Sequence, residues 1–165
     1  MSRKTAQNIS DTGIDFIASF EGCRLTAYHN SSREPWTIGY GNTTYENGQK
    51  VQKGDKISAE RAKTLFKNKL LEFSSGVNSL LTTDTTQNQF DALVSLAYNI
   101  GLGNLKRSTV LKMVNDNPNN PDISKRWVLW LSKDIKFRNG LLRRRNAEVK
   151  LYFSSSFFPF PKGIT

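Results

Sequence analysis

The segment Ser58–Leu80, SAERAKTLFKNKLLEFSSGVNSL, decides the fold. Ser58 is a helix-capping residue type, and Glu60 places a negative charge near the positive end of the helix that follows. Ala62, Leu65, Phe66, Lys69, Leu70, Phe73 and Val77 then recur at three- and four-residue spacing, the period of a helix with one buried face. The spacing predicts a helix over about residues 59–80, about 33 Å long at ~1.5 Å per residue. That length can connect and support two lobes.

Upstream of Ser58 the period changes. Tyr28, Trp36, Thr37, Ile38 and Tyr40 alternate with small or polar residues, and Asn47-Gly48 is a tight-turn signal. Residues 25–51 therefore read as a small antiparallel sheet of two or three short strands, which needs a helix against one face because such a sheet is not stable alone. Before it, Ser10, Asp11 and Asp15 mark the start of a helix with Ile14, Ile17 and Ala18 on its apolar face, running to Glu21 with Gly22 as terminator.

Downstream of the long helix, Thr86 and Gln89 form a capping box, and Phe90, Leu93, Val94, Ala97 and Tyr98 form a broad apolar stripe that should stop near Gly101. A short helix is expected at about 108–114 and a polar turn at 115–122. A helix bearing Ile123, Trp127, Trp130 and Leu131 follows, then a loop at 132–139. The last helix is expected over 141–153, with Leu142, Ala147, Leu151 and Tyr152 buried. The terminal SSSFFPFPKGIT cannot continue it past Pro159. The expected fold class is α+β. A small antiparallel sheet lobe (about 24–58) and a larger helical lobe (about 81–154 plus the N-terminal helix) are joined by the helix at 59–80. A tail occupies 155–165, the whole forms one domain, and a cleft is expected between the lobes. There is no internal repeat.

A chain of 165 residues is large enough for one core without a metal or disulfide staple. Its 24 Lys and Arg against 14 Asp and Glu give a charge of +10. Such a surface attracts polyanions in general: nucleic acid, anionic lipid or an anionic cell-wall polymer. The densest basic cluster is Arg143-Arg144-Arg145, with Arg126, Lys133, Lys136 and Arg138 upstream. No zinc-finger, ribonucleoprotein or basic-zipper pattern accompanies it, so nucleic acid is not an expected partner. One cysteine excludes an intramolecular disulfide or a thiolate zinc site, and one histidine excludes a multi-histidine metal site. No cofactor or metal is expected. No run approaches the ~18 apolar residues of a membrane span, and the N-terminus lacks the apolar stretch of a secretory signal, so synthesis in a cytosol is expected.

Two stretches are dense in chemistry. Glu21 closes an apolar helical face, where it reads either as a boundary salt bridge with an arginine or as a general acid whose proton is held by apolar neighbours. The two readings are compatible. Trp36 through Thr43, WTIGYGNT, reads as a strand whose backbone is approached closely, or as a packed aromatic hairpin; no strand–loop–helix context makes it a phosphate loop. His29 reads as a surface loop residue. Cys23 reads as an incidental thiol, since no paired base is evident beside it.

The run Glu21-Gly22-Cys23-Arg24-Leu25-Thr26-Ala27-Tyr28, followed by Trp36 to Thr43, resembles the active-site segment of phage-type lysozymes, the endolysin (muramidase) group of glycoside hydrolase family 24. Two further segments resemble the same family: Gln89 to Ser95 with Tyr98-Asn99-Ile100-Gly101, and Gly140-Leu141 with Arg144-Arg145 and Glu148. The resemblance covers about residues 10–154. It implies a lysozyme-like fold and hydrolysis of the β-1,4 bond between N-acetylmuramic acid and N-acetylglucosamine in bacterial peptidoglycan. It places the catalytic acid on Glu21, a water-holding threonine on Thr37, and Arg145, or next Arg144, against Glu21.

The family's third position, usually aspartate, falls on Asn30, and the segment from there to Thr37 is one residue longer than usual. Asn42 stands where the family commonly has histidine. Asparagine can orient a water but cannot take its proton. Three readings stand: Asn30 cripples hydrolysis, Glu34 or His29 on a rearranged hairpin contributes instead, or Asn30 orients water in a slower enzyme. A non-hydrolytic peptidoglycan-binding module is the alternative to an enzyme, and a basic nucleic-acid binder is a third. The resemblance further implies a monomer without stable membrane insertion. It also implies residence in the host bacterial cytoplasm before lysis and release to the cell wall through a separate phage pore-forming protein.

Overall fold

Ser58 Oγ accepts the backbone N–H of Arg61 at 3.1 Å, and the helix it caps, α2, spans Ala59–Leu80. In the computed structural model, which describes residues 6–155, α2 buries Ala62, Leu65, Phe66, Leu70 and Val77 and leaves its opposite face in water. The expected connecting helix is therefore present with its expected face inward. The remaining elements are α1 (Asp11–Ala18), β1 (Arg24–Tyr28), β2 (Thr37–Gly39), α3 (Gln87–Ile100), α4 (Leu102–Arg107), α5 (Thr109–Asp116), α6 (Ile123–Trp127) and α7 (Ile135–Tyr152). The fold is α+β and lysozyme-like. The chain divides into two compact units, residues 14–72 and residues 1–13 with 73–165, and α2 runs from the first into the second. No described helix is long and apolar enough to cross a membrane.

Within residues 14–72 the sheet is a two-stranded antiparallel hairpin with Arg24 opposite Gly39 and Tyr28 opposite Thr37. The unequal spacing of those pairs leaves an irregularity in β1. β2 is short because Gly39 and Gly41, at φ +65° and +97°, turn the chain so that Ile38 and Asn42 exchange both backbone hydrogen bonds. The sheet has the lower of the two strand numbers expected, and beyond it the alternation yields isolated bridges, Thr26 with Lys56 and Thr44 with Lys50, the latter across the Asn47-Gly48 turn. Ala27, Ile38 and Val51 form the hairpin core, with Trp36, Tyr45 and Ile57 packed against it. Helix α2 supplies the cover the sheet requires: Phe66 stacks on Tyr40 at 4.6 Å, and Lys69 Nζ donates to Gly41 O at 3.3 Å.

In the second unit, Thr86 and Gln89 make the expected capping box, and α3 buries every residue from Gln89 to Ala97. Gly101, at φ +90°, ends it with its N–H on Ala97 O. Residues 7–10 bind across this unit: Gln7 N–H donates to Asn78 Oδ1 at 3.1 Å, Ile9 N–H to Ser74 Oγ at 3.1 Å and Ser10 N–H to Asp91 Oδ1 at 3.0 Å. Ser10 Oγ donates to the other Asp91 oxygen and accepts from Gly13 N–H, which caps α1 as its sequence suggests.

Four expectations need correction. Helix α4 was not anticipated. Helix α1 stops at Ala18, leaving Glu21 beyond it. Helix α6 stops at Trp127, with Trp130 and Leu131 in tight turns after it. Helix α7 starts at Ile135, because Asp134 accepts the N–H of Lys136 at 2.9 Å and caps it. Gly140 thus lies inside a helix rather than before one, and Leu142 is exposed rather than buried. The end of the tail, residues 156–165, lies outside the described residues.

Candidate active site

After Ala18 the chain tightens: Phe20 N–H bonds Ile17 O and Glu21 N–H bonds Ala18 O, both at 3.1 Å. Glu21 sits half-buried in the bend that follows, with Gly22 and Cys23 leading directly into β1. Its place is set by the turn that ends α1, not by the helix itself. Cys23 is exposed; burial first, and the neighbouring Cys23 second, push the Tyr40 phenol above its ordinary pKa.

Asn30 lies just past the other end of β1, exposed to solvent. The segment it opens, residues 29–36, turns the chain into β2. His29 Nδ1 lies 2.6 Å from Ser31 O, a geometry in which that nitrogen carries the proton, and its ring packs on Trp36 at 4.1 Å. His29 is thus exposed, as expected, but fixed. Glu34 N–H bonds Ser31 O at 3.0 Å, and its side chain, like that of Arg33, is exposed. Thr37 begins β2 opposite Tyr28, half-buried, with Oγ1 donating to Pro35 O at 3.1 Å. The register therefore brings Asn30 and Thr37 to one end of the hairpin, and Glu21 enters from the segment before β1. All three belong to one compact unit.

Asn42 is buried in the same unit. Its Nδ2 donates weakly to Leu65 O at 3.5 Å, while Oδ1 has no hydrogen-bond partner among the described residues.

The arginine cluster departs most from its sequence appearance. Arg143 is exposed, but Arg144 and Arg145 are 4% and 0% exposed. Both turn to Glu148, itself fully buried: Arg144 Nε donates to Oε1 at 3.1 Å, and Arg145 Nη1 lies 2.9 Å from Oε2, off hydrogen-bond alignment. Ser95 Oγ donates to Oε1 at 2.7 Å and Trp127 Nε1 to Oε2 at 2.9 Å. Arg144 Nη2 also reaches Ser95 O at 3.2 Å, and Arg145 Nη2 donates to Asn99 Oδ1. Burial lowers the Arg145 pKa, and the charge of Glu148 opposes that drop. Sequence reading placed these residues in segments that resemble the family but missed the junction they build from α3, α6 and α7. The signal was the spacing of Arg144, Arg145 and Glu148 at four and three residues on one helix, which makes an ion pair within reach.

The phage lysozyme family profile matches residues 18–148. The chain belongs to the phage lysozyme family. It is 43% identical over 148 residues to the endolysin of Bacillus phage B103, covering 89% of this chain and 54% of that protein. It thus spans about half the length of that relative. The endolysin of Salmonella phage P22 is 38% identical over 146 residues, covering 88% of this chain and 98% of the relative. Among solved structures, the endolysin from Escherichia coli O157:H7 phage FAHEc1 superposes with a TM-score of 0.82 at 35% identity, covering 96% of this chain and 100% of the other. Membership in the family accounts for the order of the three motif segments along this chain, from Glu21 through Gln89 to Glu148.

Proposed function

We propose that this chain is a muramidase that hydrolyses the β-1,4 bond between N-acetylmuramic acid and N-acetylglucosamine in bacterial peptidoglycan, with hydrolysis limited by Asn30. Family membership supports the reaction class. The observation that carries the assignment of roles is the hairpin: Glu21 at its approach, and Asn30 and Thr37 at the end closed by residues 29–36. Glu21 protonates the departing glycosidic oxygen. The Thr37 hydroxyl holds the attacking water, and the Asn30 amide orients it. Because an amide has no basic carboxylate, water loses its proton without assistance at that position, and turnover is slow. The pairing expected between Glu21 and Arg145 or Arg144 is part of this proposal. So are action as a monomer, residence in the host cytoplasm before lysis, and release to the wall by a separate pore-forming protein.

A second reading rests on the same residue. With no carboxylate at position 30, the fold serves as a peptidoglycan-binding module without turnover. Release of reducing ends from purified cell wall separates the two, using folded wild type, Glu21→Gln, Glu34→Gln and Asn30→Asp. We expect weak wild-type turnover, none in Glu21→Gln, little change in Glu34→Gln and a gain in Asn30→Asp. General-base assistance contributes ~10²–10⁴-fold, and a misplacement of about 1 Å from the longer turn would take back part of it. Binding without turnover in every variant establishes the module. Strong wild-type turnover, no gain from aspartate and collapse in Glu34→Gln move the base to the turn.

A further inference from the structure

The chain between β2 and α2 is held by its own backbone. Tyr45 N–H bonds Gln49 O at 2.8 Å across the Asn47-Gly48 turn, and Val51 N–H bonds Thr43 O at 2.9 Å. Residues 55–57 then run beside β1, where Ala27 N–H bonds Asp55 O at 2.8 Å and Ile57 N–H bonds Leu25 O at 2.9 Å. Side chains from these two fixed pieces line an open depression of about 390 Å³: Tyr45, Gln49, Lys50, Gln52, Asp55 and Lys56. None of Glu21, Asn30 and Thr37 lines it, so it is separate from the candidate active site.

Those side chains fall into two groups. Tyr45 and Asp55 are half-buried and bond to the protein itself: Asp55 Oδ2 accepts the Tyr45 hydroxyl at 2.8 Å and Gln52 N–H at 2.9 Å. The other four are exposed. Neither Lys50 nor Lys56 is ion-paired among the described residues. Gln49 Oε1 accepts from Asn47 Nδ2 at 2.9 Å, which leaves the Gln49 amide N–H groups to donate. The depression therefore presents mainly donors, two of them charged, while its one carboxylate is already engaged.

We propose that this depression binds a phosphodiester-linked polyol polymer of the bacterial cell wall, with Lys50 and Lys56 at its phosphates and Gln49 and Gln52 at its hydroxyls. The donor set separates this ligand from the others. Single-stranded nucleic acid is held by bases stacked on aromatic faces as well as by cations. The lining has one aromatic ring, Tyr45, and that ring is committed to the hairpin core and to the Arg61 guanidinium 5.6 Å from its centroid. A carboxylate is matched best by the planar fork of arginine, whereas lysine serves phosphate as a point charge. The volume lies within the ~300–1,000 Å³ of sites that hold a molecule rather than one ion, so a polymer segment fits where a free phosphate would leave most of the space empty. Such a site rests on the functional reading only in placing the chain at the wall. It adds a hold on a second wall polymer beside the glycan.

The test is calorimetric titration of the intact chain with purified poly(glycerol phosphate), beside single-stranded oligothymidylate of equal charge. The polymer should bind more tightly than the oligonucleotide, and its binding should weaken as salt screens the charges. Lys50→Gln with Lys56→Gln should weaken it by roughly tenfold. Lys106→Gln with Lys112→Gln removes the same charge from exposed positions on α4 and α5 and should weaken it by no more than about twofold. In the unsubstituted chain, the polymer should shift the side-chain amide NMR signals of Gln49 and Gln52 and leave those of the buried Gln89 in place. Equal losses in the two lysine pairs would overturn the proposal in favour of bulk charge, and tighter binding of the oligonucleotide would assign the depression to nucleic acid. Gln49 and Gln52 signals unmoved at saturation would place the polymer elsewhere. Binding is read without turnover, so a chain that holds the polymer but cuts no glycan would overturn the muramidase reading alone.

Discussion

Replacing Glu148 with alanine should be the most damaging single change to the helical unit. One carboxylate organises four groups: Ser95 Oγ and Arg144 Nε at Oε1, and Trp127 Nε1 and the Arg145 guanidinium at Oε2. Alanine removes both acceptors and leaves Arg145, buried on every side, with the Asn99 side chain for compensation. Removing one partner of a buried ion pair costs about 3–5 kcal/mol, and the orphaned indole N–H adds a further ~1 kcal/mol or more. These penalties overlap at one site and do not sum, so a loss of about 4 kcal/mol is expected. In urea, with a slope of roughly 2 kcal/mol/M, the unfolding midpoint should fall by about 2 M, and the thermal midpoint by on the order of 10 °C. Glu148→Gln keeps one acceptor oxygen and should fall between the two. A loss below about 1 kcal/mol in Glu148→Ala would refute the reasoning, because it would mean the two guanidinium groups find water or other acceptors at no cost.

Three further outcomes are expected. Gly13→Ala would place a Cβ 2.6 Å from Asp91 Cγ and 2.8 Å from Ile9 Cγ1, and should cost about 1–3 kcal/mol in urea unfolding by displacing the carboxylate from Ser10. Thr86→Ala removes the side-chain half of the capping box and should cost about 1 kcal/mol by the same measurement. The Asp91 carboxyl should titrate above the ordinary aspartate value by carbon NMR, because burial outweighs the hydrogen bonds from Ser10 and Gln87. With the folded pKa raised, its contribution to stability is fully present below the unfolded pKa and is lost as pH rises through the folded value. A folded Asp91 pKa below that of the unfolded chain would reverse this sign.

Local signals that agreed with tertiary need were legible in advance. Helix α2 carries both a cap at Ser58 and an apolar face, and Thr86 with Gln89 forms the capping box of α3, so each was readable from the chain alone. Where a residue has two meanings, the reading failed. Gly140 resembled a boundary, yet the cap at Asp134 had already started α7, and an interior glycine costs a helix only ~1 kcal/mol. Helix α4, LGNLKR, holds two apolar residues and a glycine, too little for any period to emerge. Arg144 and Arg145 looked like surface charge because burial of a cation depends on acceptors distant in sequence: Ser95 and Asn99 lie 49 and 46 positions away. At the candidate site, residue types and order were readable. The turn that carries Glu21 past the end of α1, and the bond that fixes His29 to Ser31, depend on backbone geometry that side-chain patterning does not encode.

The unit that holds α3 to α7 also owns residues 1–13, so residues 14–72 are a detour in its chain path. On a ribosome this orders events in time. Ser10 emerges early, but its acceptor Asp91 lies 81 positions later, and the partners of Ile9 and Gln7 lie 65 and 71 positions later. At ~5–20 residues per second, Ser10 waits about 4–16 s for Asp91 to be made. Residues 14–72 are all made within that interval, before Asp91 exists to accept the Ser10 N–H. The stretch that leads into Glu21 is thus made early and is fastened to Asp91 only after all of residues 14–72 have followed it.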